Sequence, residues 1–485
     1  MERLQPAILS LALILVGAAS IRWWTTAQPG VVVSLREPTE SDGTAPGQKP
    51  LAPTEHCNRL VTGFRSGTGT PADSTSRWPR FRGELGTGVA AAPVELFDEW
   101  PAGGPERAWE IDLGEGHAGA AVFDGSIYIL DYDEELRADS LRCLSLVDGA
   151  EIWRRWYEVR IKRNHGVSRT VPAVTKDFVV TIGPKCHVMC VKRENGDYVW
   201  GIDLVREHGS TVPLWYTAQC PLIDNGAVVL APAGRMLLMA VDCATGEILW
   251  ETPNPDGWTM SHSSIVSMQF AGRKAYVYSA IGGIVAVAAE EPDRGKILWK
   301  TNAWLHNVVA PSPVQLSETR IFVTSGHGAG SMLLSLVSGT DGAFTLSNAR
   351  EIDKTVIACE QQTPIWHGNR LYAVLPKDAG SKREQLVCFD GALKEIWASG
   401  KDHRFGLGPY IACGDRMFVL GDRGVLALLD LSGRQYRELA RAQVLNGRDA
   451  WAPLALADGW LLARDSKKMV CLRVGKKRTE QEDGW

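Results

Sequence analysis

Ala240-Val241-Asp242-Cys243-Ala244-Thr245-Gly246-Glu247-Ile248-Leu249-Trp250 reads as a strand, a tight turn at Thr245-Gly246, and a second strand that opens on an indole. Glycine supplies the positive φ that such a hairpin needs. A Trp at the start of an outer strand is a large apolar body able to wedge against a neighbouring sheet. Weaker copies lie on both sides. Cys143-Leu144-Ser145-Leu146-Val147-Asp148-Gly149 leads to Trp153, and Cys190-Val191-Lys192-Arg193-Glu194-Asn195-Gly196 leads to Trp200, each with the ten-residue step seen from Ala240 to Trp250. Ala286-Val287 leads to Gly295 and Trp299 with three residues inserted, and Cys388-Phe389-Asp390-Gly391 leads to Trp397 with one deleted. Ala427-Leu428-Leu429-Asp430-Leu431-Ser432-Gly433 keeps the turn and offers Tyr436 in place of the Trp. A period of roughly 40–50 residues with short strands and turn signals is that of a propeller blade.

A second element repeats in the same phase: a small residue or Pro, a short apolar run, often a Gly/Asp/Asn turn, then a β-rich run. It begins at Ala120, Pro172, Pro221, Ser264, Pro313, Pro364, Pro409 and Pro453, which makes eight units. Each would hold the first hairpin of a four-stranded blade. The last unit ends at Val470-Cys471-Leu472-Arg473-Val474 without a fourth strand, and Ala108-Trp109-Glu110-Ile111-Asp112 reads as the missing one. Closing the ring in this way leaves no exposed inner seam between first and last blades. The expected fold is therefore all-β: an eight-bladed propeller of four-stranded antiparallel blades over residues 78–474, preceded by an N-terminal apolar helix.

Ala240-x-Asp242-x-x-Thr245-Gly246-x-x-x-Trp250 resembles the tryptophan-docking motif of the PQQ-like (quinoprotein-type) propeller repeats, and matches it in full. Trp78-Pro79-Arg80-Phe81-Arg82-Gly83 is similar to the Trp-Pro-x-Phe-Arg-Gly segment ahead of the repeats in exported bacterial members. The resemblance covers about residues 78–474 and specifies fold far better than activity, because the repeat serves both quinone-dependent dehydrogenases and non-enzymatic scaffolds.

Composition agrees with a large globular core: 45% apolar residues, 49 Gly and 18 Trp in 485 residues. A net charge of −4, with no basic block ahead of Lys476-Lys477-Arg478, gives no footprint for nucleic acid. Residues 1–24 form an expected targeting segment. An apolar run from Ala7 to Ile21 follows the single basic Arg3 and closes on Arg22-Trp23-Trp24. Counted from Leu4 to Trp24 it approaches the length that spans a bilayer, while Ala18-Ala19-Ser20 suits signal-peptide cleavage. Both readings export the rest, to the periplasmic side of the cytoplasmic membrane, anchored or released. Residues 25–77, rich in Pro, Thr, Ser and Gly, are expected to be a disordered linker, and 475–485 a polar tail.

Ten cysteines in an oxidising compartment suggest disulfides. The register argues for packing. Cys143, Cys190, Cys388 and Cys471 stand where Ala240, Ala286 and Ala427 stand in other blades, so the site takes a small apolar residue.

Chemistry would gather on the face where the connections into the innermost strands meet the loops after the second strands. Seven of the ten histidines fall there: 117, 165, 208, 262, 306, 327 and 403. The candidate ligand- or partner-binding set is His117, His165, Arg169, Gln219, His262, Gln361, Arg404 and Trp451. Such a mouth would take an envelope protein or a small anionic or sugar-like ligand. Such polar residues are also what any surface loop carries. No metal is expected. Asp131 and Asp133, in an acidic stretch read as a solvated loop, are the weak candidates for calcium.

The resemblance implies, for a PQQ-dependent enzyme, a vicinal disulfide over the quinone in the alcohol-oxidising branch, a calcium site and an Asp base. No two cysteines are adjacent here, and no Cys-x-x-Cys-His haem module is present. The expectation is a non-catalytic exported scaffold without cofactor, monomeric and attached to the membrane through its N-terminal segment. It is similar to the periplasmic propeller that assists outer-membrane β-barrel assembly. The alternative is a quinoprotein dehydrogenase oxidising an alcohol or sugar with PQQ and calcium.

Overall fold

The computed structural model describes Leu60 and residues 63–476, apart from 93, 163–165 and 340–343. The expected targeting segment, residues 1–24, lies outside them, as do most of the linker and of the C-terminal tail. Among the described residues no helix is long and apolar enough to cross a membrane.

The strands form eight antiparallel sheets, seven with four strands and one with six. In chain order they are blades 1 (121–158), 2 (173–203), 3 (222–253), 4 (266–301), 5 (314–352), 6 (365–398), 7 (410–443) and 8 (455–473). Blade 8 takes its outer strand from Glu106–Asp112, which pairs antiparallel with Lys468–Arg473 in a register that sets Trp109 opposite Cys471. The ring closes as the repeat count requires. Strand interiors are buried on both faces, as in Ile284–Ala288, because each blade is packed between two others.

The indoles of blades 8, 1 and 2 dock onto the turn of the next blade. A Cβ added to Gly149 would lie 2.9 Å from Trp109, one on Gly196 2.7 Å from Trp153, and one on Gly246 2.8 Å from Trp200. Only glycine permits that approach, and the turn also needs its positive φ, +71° at Gly196. The docked indoles of Trp109 and Trp200 donate to the carbonyls of Leu146 and Cys243, at 3.0 and 2.9 Å. In blade 7 the turn glycine Gly433 does not receive the indole, since a Cβ there would meet only Gln435, and Trp397 instead meets Tyr436 edge-on at 5.8 Å. Trp250, in the most complete copy of the motif, is less buried than Trp153 or Trp200 and stacks on Tyr276.

The N-terminal boundary of the folded region differs from the sequence expectation. Gly63–Ser66 adds a fifth strand to the outer edge of blade 1, in register with Trp153–Trp156, and Arg77–Trp78 pairs with the innermost strand of that blade. Order thus extends into the stretch expected to be linker. Apolar anchors explain it, because Phe64 packs against Arg155 and Trp78 is 2% exposed. All nine cysteines among the described residues are buried and free, as packing requires.

Candidate binding site at the mouth of the ring

The segment that carries Trp78-Pro79-Arg80-Phe81-Arg82-Gly83 lies as a strap across one axial end. Ser76 Oγ accepts from Asp458 N–H in blade 8, and Pro79 O from Val174 N–H in blade 2. Arg82 donates to Thr363 O at 2.6 Å and Pro364 O at 2.9 Å at the start of blade 6, while Val89 bridges Ala412 of blade 7. Above the strap the inner strands are laced together. Val171 N–H donates to Cys220 Sγ, Cys220 N–H to Ser264 Oγ, Ser264 N–H to Ser312 Oγ and Ser312 N–H to Thr363 Oγ1, at 2.9–3.2 Å. One hydroxyl or thiol per blade thus satisfies a backbone donor of the blade before it, from blade 2 to blade 6.

The opposite end is the mouth, and two aromatic clusters occupy it. Trp215, on the connection into blade 3, packs against His262 of blade 4 at 5.8 Å and His327 of blade 5 at 5.6 Å between ring centroids. Its loop is held from blade 2's side: Tyr216 OH donates to Lys162 O at 2.7 Å and accepts from Lys162 N–H. Tyr216 and His327 both have positive φ, +68° and +55°, unfavourable for residues with a Cβ. Strain of that kind persists only where the surroundings enforce it. Arg169 joins this cluster. Burial lowers its pKa to about 10, and burial followed by the Arg169 charge holds His262 down at about 4, so His262 is neutral at physiological pH. In the second cluster His117 packs on Trp451 at 4.9 Å, bringing blades 1 and 8 together. Gly166 lies between the two clusters. A Cβ there would be 2.8 Å from His117, and its carbonyl accepts from Arg169 at 3.4 Å.

Of the residues singled out from sequence, His117, Arg169, His262 and Trp451 meet in this way. Gln219 does not take part. It is 0% exposed and spends its amide on both backbone groups of Ala231, as donor to O and acceptor from N–H. Arg404 is tied to the carbonyls of Arg383 and Lys401 beside blade 6, away from Arg169, and its neighbour His403 turns to Glu438 and Tyr436 on blade 7. Gln361 is partly exposed at the mouth, whereas the adjacent Gln362 reaches across to Trp451 O at 2.9 Å. His165 lies outside the described residues. Trp215 and His327 complete the cluster without having stood in the candidate set, although His327 was among the histidines expected on this face. Trp215 lies on the connection into blade 3 and His327 on the loop after the second strand of blade 5.

Asp131 is not in a solvated loop. It belongs to the strand Ser126–Asp133, is 6% exposed, pairs with Arg142 at 3.1 Å and accepts from Gly114 N–H. Asp133 accepts from the turn N–H groups of Glu135 and Leu136 and faces Arg154. Both carboxylates are committed to guanidinium and backbone donors, which leaves them poor calcium ligands. Among the described residues no three His, Cys, Asp or Glu side chains gather as a metal site. Asp131 and Asp133 therefore do not supply the donors of a calcium-assisted quinone centre.

An eight-bladed ring of antiparallel four-stranded sheets, locked by Trp-on-Gly docking and strapped at one end, defines a propeller of the PQQ-like repeat type. The family model described as outer membrane protein assembly factor BamB matches residues 137–392, and the chain belongs to that family. BamB from Moraxella catarrhalis is similar in structure, with 13% identity, TM-score 0.52, and coverage of 76% of this chain and 99% of that one. A quinohemoprotein alcohol dehydrogenase from Pseudomonas putida is similar too, with 13% identity, TM-score 0.56, and 85% and 82% of the two chains covered. So is the quinohemoprotein alcohol dehydrogenase from Comamonas testosteroni, at 12% identity, TM-score 0.55, and 86% and 83% coverage. At these identities the likeness is one of fold. No curated protein matches the chain.

Proposed function

We propose that this protein is a non-catalytic scaffold of the cell envelope, exported by its N-terminal segment, that binds a protein partner or small ligand at the mouth of the ring. The observation that carries the reading is the convergence of Arg169, Trp215, His262 and His327 from four consecutive blades. The side-by-side packing of successive blades brings them together. A strained aromatic platform beside a partly desolvated guanidinium is suited to recognition, because its groups are held in place before a partner arrives. Family membership supports the envelope setting, since the family is described as an outer membrane assembly factor. The apolar run at residues 7–21 supports export.

The alternative, a PQQ-dependent dehydrogenase, draws on the likeness in fold to two alcohol dehydrogenases. The commitment of Asp131 and Asp133 to Arg142 and Arg154 weighs against it. The separating experiment is reconstitution with PQQ and calcium, followed by dye-linked oxidation of alcohols and sugars. The scaffold reading expects no turnover above the apoprotein. It also expects Arg169→Ala to abolish retention of whatever partner the wild-type chain retains from envelope extracts. Quinone-dependent turnover would replace this reading with the enzymatic one.

A further inference from the structure

The joint between blades 5 and 6 breaks the repeat. In blades 1, 2, 3, 4, 6 and 8 a Trp stands opposite the small residue of the third strand, as Trp250 faces Ala240 and Trp299 faces Ala286. Counted across from the inner strands, the Ala240–Trp250 pair of blade 3 corresponds to Leu333 and Arg350 in blade 5. The turn that would receive the indole differs as well. The left-handed position that Gly246 holds in blade 3 belongs in blade 6 to Leu393, at φ +64°, whose N–H donates to Asp390 O as that of Gly246 does to Asp242 O. Leu393 is 7% exposed and lies in one apolar cluster with Phe322 and Leu333, so it seals the core of this joint without an indole.

A depression of about 670 Å³ lies outside that seal, lined by Arg320, Leu333 and Arg350 of blade 5 and by Asn369 and the turn from Asp390 of blade 6. Binding pockets typically measure about 300–1,000 Å³. The lining carries two guanidinium groups against one carboxylate. Arg320 spends one N–H on Gly391 O at 2.8 Å, which fixes it against the turn of blade 6. Arg350 is exposed and pairs with no carboxylate among the described residues. Asp390 turns one oxygen back to the N–H groups of Ala392 and Lys394. Blade 7 also places an arginine at this register position, Arg441 opposite Ala427, but there Glu438 offsets the charge at 2.7 Å. In blade 5 the charge is left for a partner to meet.

We propose that this depression is a docking site for a partner protein, which inserts an aromatic side chain flanked by a carboxylate. The ring takes the place between two blades that an indole of the chain itself takes elsewhere, over Leu333 and against the guanidinium planes. The carboxylate pairs with Arg350, whose planar fork suits a bidentate contact. The site lies on the outer half of the ring and shares no residue with the mouth.

The test uses the full chain and the peptide acetyl-Glu-Trp-Glu-amide, with 5-bromotryptophan in place of Trp for crystal soaks. Calorimetric titration should show binding that saturates in the millimolar range or below and disappears when the peptide's Trp is replaced by Gly. Arg350→Glu should weaken it by about tenfold or more, the loss expected for a charge-assisted contact. The soaked crystals should show a bromine anomalous peak between Leu333 and Gly391. If Arg350→Glu does not fold, the soak of the wild-type protein decides alone. No binding by the wild type, binding indifferent to the peptide's Trp or to Arg350→Glu, or a bromine peak only at another site overturns the inference.

Discussion

Trp153→Ala tests the blade register at its most buried joint. The indole is 2% exposed and packs on Gly196 of the next blade so closely that an added Cβ would lie 2.7 Å away. Truncating a Trp buried to this degree costs about 3–5 kcal/mol. Gly196→Ala attacks the same contact from the other side, combining that clash with a Cβ at φ +71°. Backbone strain of this kind amounts to about 1–2 kcal/mol by itself, and the clash adds to it. In the double variant the clash disappears with the indole and only the strain remains. The two changes should therefore be non-additive, with a coupling of about 1–3 kcal/mol. Urea unfolding followed by far-ultraviolet circular dichroism measures this without relying on the fluorescence of the Trp removed. Additive losses within about 0.5 kcal/mol would mean that Trp153 and Gly196 do not share a joint, and the register would fall with them.

Trp250→Ala should cost less than Trp153→Ala, about 2 kcal/mol, because its ring is only partly covered; an equal loss would contradict the burial seen here. A chain beginning at Gly114 lacks both the strap and the strand Glu106–Asp112, and should aggregate or unfold without cooperativity, which analytical ultracentrifugation and urea titration will show. Asp139 is fully buried and accepts from Tyr157 and Ser168, and burial raises its pKa from 3.8 to about 7. Its contribution is intact below pH 4 and lost as pH rises through about 7, at most about 4 kcal/mol, so Asp139→Asn should raise the unfolding midpoint at pH 8 and not at pH 4. The depressed His262 has the opposite sign: stability present above its ordinary 6.5 is lost as pH falls through about 4, and His262→Gln should flatten that acid limb.

The blade count, the closure and the docking indoles were legible because they rest on local patterns: a turn glycine, an alternating strand and a Trp at fixed spacing. The strap was legible only as a motif. Nothing local in Arg82 says that its partners are carbonyls near residue 363, more than 280 positions away. The lacing of the inner strands left a trace in Cys220-Pro221, Ser312-Pro313 and Thr363-Pro364, where a small donor–acceptor side chain precedes the Pro that opens a blade. The mouth was half legible. Topology put His117, Arg169, His262 and Trp451 on one face, but residue type could not show that Gln219 turns inward to Ala231 or that Arg404 is spent on Arg383. Asp131 was misread because an acidic run beside a turn usually faces water, whereas here Arg142 offsets its burial.

The central claim, that the mouth is the binding surface, is tested most directly by site-specific photocross-linking in intact envelopes. A photoreactive residue at His327, exposed at the mouth, is compared with one at Leu249, 49% exposed on the outer strand of blade 3. The account predicts a discrete adduct from His327 that disappears when Arg169→Ala is added, and none from Leu249. An adduct from Leu249 alone, or one from His327 indifferent to Arg169→Ala, would contradict it.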